Sequence, residues 1–152
     1  MKKWRKQALK QVPSLTRIFR RERDPMGLWI TLQLTLCELY SRPWPNSWKN
    51  ARAIRQVYSY ARWCYFQSGD PDVIAAVACA FYEHLPLDED VRRDVANHLP
   101  ETDFEALEKV FRYHLDTDAA YERFRGEFLQ AKSELRQRAM PQELSEAGLP
   151  SI

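Results

Sequence analysis

Ten consecutive residues, Val73 to Tyr82 (VIAAVACAFY), carry neither a charge nor an amide side chain. Strong punctuation brackets them. The stretch Ser68-Gly69-Asp70-Pro71 ends one element and starts another, with Asp70 as N-cap and Pro71 in the first turn, where its missing N–H is not needed. Pro86 stops the run. A helix that is apolar on every side must be covered by neighbours, so the run predicts a buried central helix over about 71–85, with alanines that let other helices approach closely.

The rest of the chain reads as helices arranged round it. Residues 1–23 form a basic helical segment broken at Pro13, after which Ser14 is placed to cap a second piece. Residues 26–40 are ambiguous: Ile30, Leu32, Leu34 and Leu36 alternate as in a strand, whereas Leu28, Leu32, Leu36 and Leu39 keep helical spacing. Length and helical surroundings favour a helix. The connector RPWPNSW (42–48) is stiff, because each proline biases its predecessor away from αR.

A helix then starts near Asn46 or Ser47 and runs to about Gln67. Its stripe is Ile54, Val57, Tyr58, Ala61, Cys64 and Tyr65, and Tyr60, Trp63 and Phe66 mark a second apolar face. Beyond the apolar run, Asp88 is placed to cap a short helix ending at Pro100, and Thr102 with Glu105 forms a capping box for the next. Asp116 or Thr117 caps a last helix through about Ala139. The expected fold is all-α: six to seven mostly antiparallel helices in a single domain. It divides into a basic N-terminal segment (1–23), a helical core (24–140) and a short C-terminal tail (141–152).

Four glycines among 152 residues leave little room for glycine-rich nucleotide loops. The signatures of P-loops, dinucleotide folds, serine hydrolases and zinc proteases do not occur. Cys37, Cys64 and Cys79 lie in apolar stretches and form no paired motif, which predicts buried free thiols in a reducing compartment and no metal site. The basic start MKKWRKQALKQ is not followed by an apolar signal region, and Leu28 to Tyr40 is too short and polar to span a bilayer. A cytoplasmic protein without membrane contact or cofactor is the expectation.

Two carboxylates stand in apolar company: Glu38 in LTLCELY, and Glu83 beside His84. A desolvated carboxylate next to a histidine is raw material for general acid–base catalysis, and that constellation would be the core of an enzyme reading. The plainer expectation is that Glu38 faces solvent or pairs with Arg42 or Arg62. In the same way, His84, His98 and His114 read as helix-terminal surface histidines, favoured there by the macrodipole. The five tryptophans (Trp4, Trp29, Trp44, Trp48 and Trp63) read as core packing rather than as stacking platforms.

Charge is divided along the chain. Residues 1–24 carry nine Lys/Arg against two Asp/Glu, and residues 25–69 carry five against one. Residues 70–127 reverse this, with six against fifteen, although the whole chain is only +2. Either the halves neutralise each other by packing basic helices beside acidic ones, or one pole attracts a partner of opposite sign. The basic segment could also touch phosphates.

The stretch Tyr60–Pro86, with YARWC and AVACAFYEHLP, resembles a family of small uncharacterised bacterial helical proteins. Some of these look like immunity proteins, cytoplasmic inhibitors that guard a cell against a toxin. The resemblance spans roughly residues 25–125, and the basic N-terminal segment departs from it. It implies binding without catalysis and assigns no site residues. Joined to the charge division, it makes a non-catalytic, immunity-like partner-binding protein the leading expectation. Asp88, Glu89, Asp90, Asp94, Glu101, Asp103, Glu105 and Glu108 would then meet a basic toxin domain. A nucleic-acid-associated protein using the basic segment is the alternative, and an enzyme built on Glu38, Glu83 and His84 comes third.

Overall fold

The computed structural model describes residues 1–41 and 47–140. The elements are α1 (Lys3–Gln11), α2 (Thr16–Phe19), α3 (Pro25–Ser41), α4 (Ser47–Phe66), α5 (Pro71–Ala80), α6 (Glu89–Asp94), α7 (Glu101–Ala106), α8 (Glu108–Phe111) and α9 (Asp118–Ala139). Short 3₁₀ turns occur at Pro13–Leu15, Tyr82–His84, Val95–Asn97 and Arg112–His114. No strand occurs among the described residues, so residues 26–40 are helix and the all-α expectation holds. No helix among the described residues is long and apolar enough to cross a membrane. Most of the connector (42–46) and the C-terminal tail (141–152) lie outside the described residues.

The caps explain where several helices begin. Asp70 accepts from the Asp72 N–H at 3.1 Å and Pro71 opens α5. Asp88 accepts from the Val91 N–H at 3.0 Å to start α6, and Thr117 accepts from the Ala120 N–H at 3.1 Å to start α9. Gly69, with φ +66°, makes the left-handed turn between α4 and α5 that a side chain would strain. Two expected caps are absent. Helix α7 begins at Glu101 directly after Pro100, so Thr102 and Glu105 form no capping box. Ser14 caps nothing, and its N–H instead donates to Gln56 Oε1 at 3.2 Å.

The described residues hold nine α-helices where six or seven were expected: the basic segment divides at Pro13 as read, and the helix expected over about 102–115 is broken as well. Pro13 separates α1 from α2. Leu107, fully buried with φ −91° and ψ 4°, separates α7 from α8, and Phe104 and Phe111 on either side both reach Phe124, at 5.1 and 5.2 Å.

Helix α5 packs on α3 and α4, but it is not buried all round. Val73, Ala76, Val77 and Ala80 are buried, whereas Ala75 and Cys79 are exposed. The expected central helix also loses α geometry at Phe81, where φ −122° and ψ −67° lead into the 3₁₀ turn. Its residues Phe81 and Tyr82 join two aromatic groups. Trp29 stacks on Tyr60 with ring centroids 5.2 Å apart and meets Phe81 at 5.2 Å. Tyr82 approaches Phe111 at 6.5 Å, opening a second group in which Phe104 stacks on Phe128 at 4.0 Å. Such pairs add about 1 kcal/mol each beyond the area they bury. Trp4, Ala8, Val12, Leu15 and Phe19 belong to the same core cluster, so the basic segment is packed into it. Of the three thiols only Cys64 is buried, and burial pushes its pKa up to about 12; Cys37 and Cys79 are exposed, correcting the expectation for both.

Candidate functional site

The eight acidic candidates are placed on α6, α7 and α8, and most are already engaged. Asp88 is spent on the α6 cap. Glu89 pairs with Arg93 one turn on. Glu101 takes Arg136 Nη1 at 2.7 Å, and Glu108 takes Arg112 Nε at 2.8 Å. Asp103 is only 6% exposed and holds Arg62 Nε at 2.5 Å, so it is not a surface group at all. Asp90 and Glu105 are the two that are exposed with no side-chain partner among the described residues.

The eighth, Asp94, is the centre of a network that spans the fold. Its Oδ2 accepts from Tyr40 Oη at 2.6 Å and from His98 Nε2 at 2.9 Å, and its Oδ1 accepts from Asn97 Nδ2 at 2.6 Å. Burial alone would raise its pKa, but the bonds from His98, Tyr40 and Asn97 hold it at about 2. Burial pushes Tyr40 far above the ordinary tyrosine range, so its hydroxyl stays protonated and donates. His98 stacks flat on Tyr58 with centroids 4.3 Å apart and is largely buried, which corrects its reading as a surface histidine. With its oxygens occupied, Asp94 ties α3 to α6 rather than moving protons. The i, i+4 spacing of Asp94 and His98 was a readable signal, whereas Tyr40 lies 54 residues away.

The acid–base constellation does not assemble around Glu38, Glu83 and His84. Glu83 is buried and its Oε2 meets His114 Nε2 at 3.1 Å; the His84 ring lies 5.3 Å from that of His114. Cys79 lies close enough to Glu83 that burial, then the carboxylate, raise its pKa, the opposite of an activated thiol. Glu38 is exposed on α3. Among the described residues no three histidine, cysteine or acidic side chains are placed to hold a metal ion.

The basic half is arranged differently. Helix α1 runs back along α4: Lys3 Nζ lies over the Trp63 ring at 5.7 Å, Tyr60 Oη donates to the Trp4 carbonyl at 3.0 Å, and Ser14 meets Gln56. Arg5 bonds the carbonyls of Arg20 and Glu22, tying α1 to the end of α2. Lys6, Lys10, Arg17, Arg20, Arg21, Lys49, Arg52 and Arg55 are exposed. Among the described cations of the first 69 residues, Arg62 is the one with a carboxylate partner. Asp103 apart, the carboxylates of the later helices that have an arginine partner find it within their own half, in Arg92, Arg93, Arg112 or Arg136.

Where α4 meets the turn at Pro13–Leu15, a cleft of about 430 Å³ is lined by Ser14, Leu15, Leu39, Trp48, Lys49 and Arg52, among others. It shares Leu39 and Asn50 with a second cleft of about 460 Å³ beside Tyr40, Arg55 and Asp94, so the two adjoin. Trp48 is 64% exposed with Lys49 Nζ 5.3 Å from its ring centre, whereas Trp4, Trp29 and Trp63 are buried. The exposure of Trp48 departs from the expectation that the five tryptophans pack in the core. For Trp48 the available signal was its place at the start of a helix, beside Lys49 and outside the apolar stripe. Compared with protein families, curated proteins and solved structures, the chain returns no match.

Proposed function

We propose that this chain is a non-catalytic binding protein that docks a negatively charged partner through the cationic face of α1, α2 and α4. One observation carries the reading: among the described residues the exposed cations of α1 and α2, with Lys49, Arg52 and Arg55 of α4, have no carboxylate partner, whereas most carboxylates of α6–α9 have a cationic one. Paired charges cancel at short range, while unpaired ones of one sign sum to a field that steers an oppositely charged partner. The sequence-level balance favoured the acidic half because it counts charges and not their partners.

The immunity-like reading, in which an acidic surface meets a basic toxin, keeps the support of Asp90 and Glu105, which are exposed and have no side-chain partner among the described residues. Chromatography separates the two readings. The chain should be retained on immobilised polyglutamate and should pass through immobilised polylysine. Lys10→Glu with Lys49→Glu and Arg52→Glu should abolish retention, while the same charge change at Lys132, Arg136 and Arg138 should leave most of it. Retention on polylysine, lost on Asp90→Lys with Glu105→Lys, would return the function to the acidic side.

A further inference from the structure

We infer that the anionic partner is a single-stranded nucleic acid, with a base stacked on Trp48 and phosphates along Lys49, Arg52 and Arg55 of the same helix. This rests on the cationic docking face proposed above and adds the class of ligand it takes. An exposed apolar side chain is ordinary when it stands alone. Trp48 does not stand alone: at 64% exposure it forms part of the wall of a cleft whose other polar wall residues include Lys49, Arg52 and Ser14. An indole flanked by cations in a groove offers both elements of single-strand recognition, a π-face for a base and charges that follow the backbone. The adjoining cleft extends the groove towards exposed Arg55. Among the described residues its carboxylate is Asp94, whose oxygens are already engaged by Tyr40, Asn97 and His98.

A protein partner with acidic side chains would satisfy the cations equally well and would meet the indole with an apolar group, so the polyglutamate and oligonucleotide probes below separate the two. A duplex keeps its bases stacked inside, out of reach of a side chain that lies on a surface groove. The single strand is the polyanion that uses both features.

Fluorescence anisotropy with the full chain tests this, using labelled oligothymidylate of about 16 nucleotides, the upper site size per module for such proteins. A duplex of the same length and polyglutamate serve as the other probes. The single strand should bind more tightly than the duplex. Trp48→Ala should weaken it roughly tenfold, Trp48→Phe should restore most of that loss, and neither should alter duplex binding. Lys49→Ala with Arg52→Ala should flatten the slope of log affinity against log salt by about 1.4, the share of two phosphate contacts on a single strand. Trp48 is exposed, so circular dichroism should be unchanged in each variant. Equal binding of single strand and duplex, indifferent to Trp48→Ala, would overturn the inference and leave the cationic face standing. Binding of polyglutamate without either oligonucleotide would do the same and point to an acidic protein. If none of the three binds at low salt, both the inference and the proposed docking face fall.

Discussion

A carboxylate withdrawn from water is tolerated only while it keeps its partner, and Asp103 has one in Arg62, which remains about half exposed. The pair is therefore asymmetric. Arg62→Ala should cost about 2–3 kcal/mol because it strands a buried charge, whereas Asp103→Ala should cost less, since the guanidinium can turn to water. Urea unfolding of both variants checks the order, and equal losses would mean that Asp103 is less enclosed than its burial indicates. Asp94 makes a different prediction. Its folded pKa of about 2 lies below the ordinary 3.8, so its contribution is present above pH 4 and is lost as the pH falls through 2. With the side chain more than a quarter exposed, that contribution is on the order of 1 kcal/mol after screening. Asp94→Asn should flatten stability across that window, and an acid limb unchanged by the substitution would assign the loss to other groups. Both residues were visible in the sequence as acidic positions, but their partners Arg62 and Tyr40 lie 41 and 54 residues away. No local pattern reports such distances.

Helix α5 shows which parts of an element local chemistry settles. Its start was readable because Asp70 and Pro71 act on the turn they belong to, and Asp88 and Thr117 were readable for the same reason. Its burial was not fully readable: ten apolar residues suggest cover on all sides, whereas α3 and α4 leave Ala75 and Cys79 exposed. Small side chains make that outward face cheap in exposed apolar area, so the pattern carries no signal of it. Neighbouring alanines therefore give a sharp comparison. Ala76→Asp, at 1% exposure, should cost more than about 4 kcal/mol and leave the chain unfolded, because the carboxylate has no partner in the core. Ala75→Asp should stay within about 0.5 kcal/mol of the parent. Thermal unfolding by circular dichroism decides, and equal tolerance would mean that the α3–α5 packing is misassigned. The breaks were the least legible feature. That at Pro13 has a residue to mark it, but Leu107 is an ordinary helix former, and its break is visible only in the packing of Phe104 and Phe111 on Phe124.

Across the whole molecule, a nearly neutral chain holds two halves that handle charge in opposite ways. In the later half, Arg92 pairs with Glu127 at 2.6 Å and also donates to the Pro86 carbonyl at 3.2 Å, so a cation serves the fold directly. In the first half, Lys10, Arg17 and Arg21 are exposed cations without carboxylate partners among the described residues, and like charges repel. Repulsion between exposed charges is screened over about 8–10 Å near physiological salt, so it destabilises the fold most at low salt. Two charge reversals of equal size should then have opposite consequences. Arg92→Glu should destabilise by about 2 kcal/mol, since it leaves a carbonyl unpaired and sets two carboxylates together. Arg17→Glu should be neutral or stabilise by a few tenths of a kcal/mol, and its effect should shrink as salt is added. Denaturant titrations at low and high salt measure both. If Arg17→Glu destabilised the chain as much as Arg92→Glu, the basic half would be held by ion pairs as the acidic half is, and the argument for docking would lose its basis. If the prediction holds, the exposed cations of α1, α2 and α4 other than Arg62 do little for folding, and an anion bound from outside is the neutralising partner they lack.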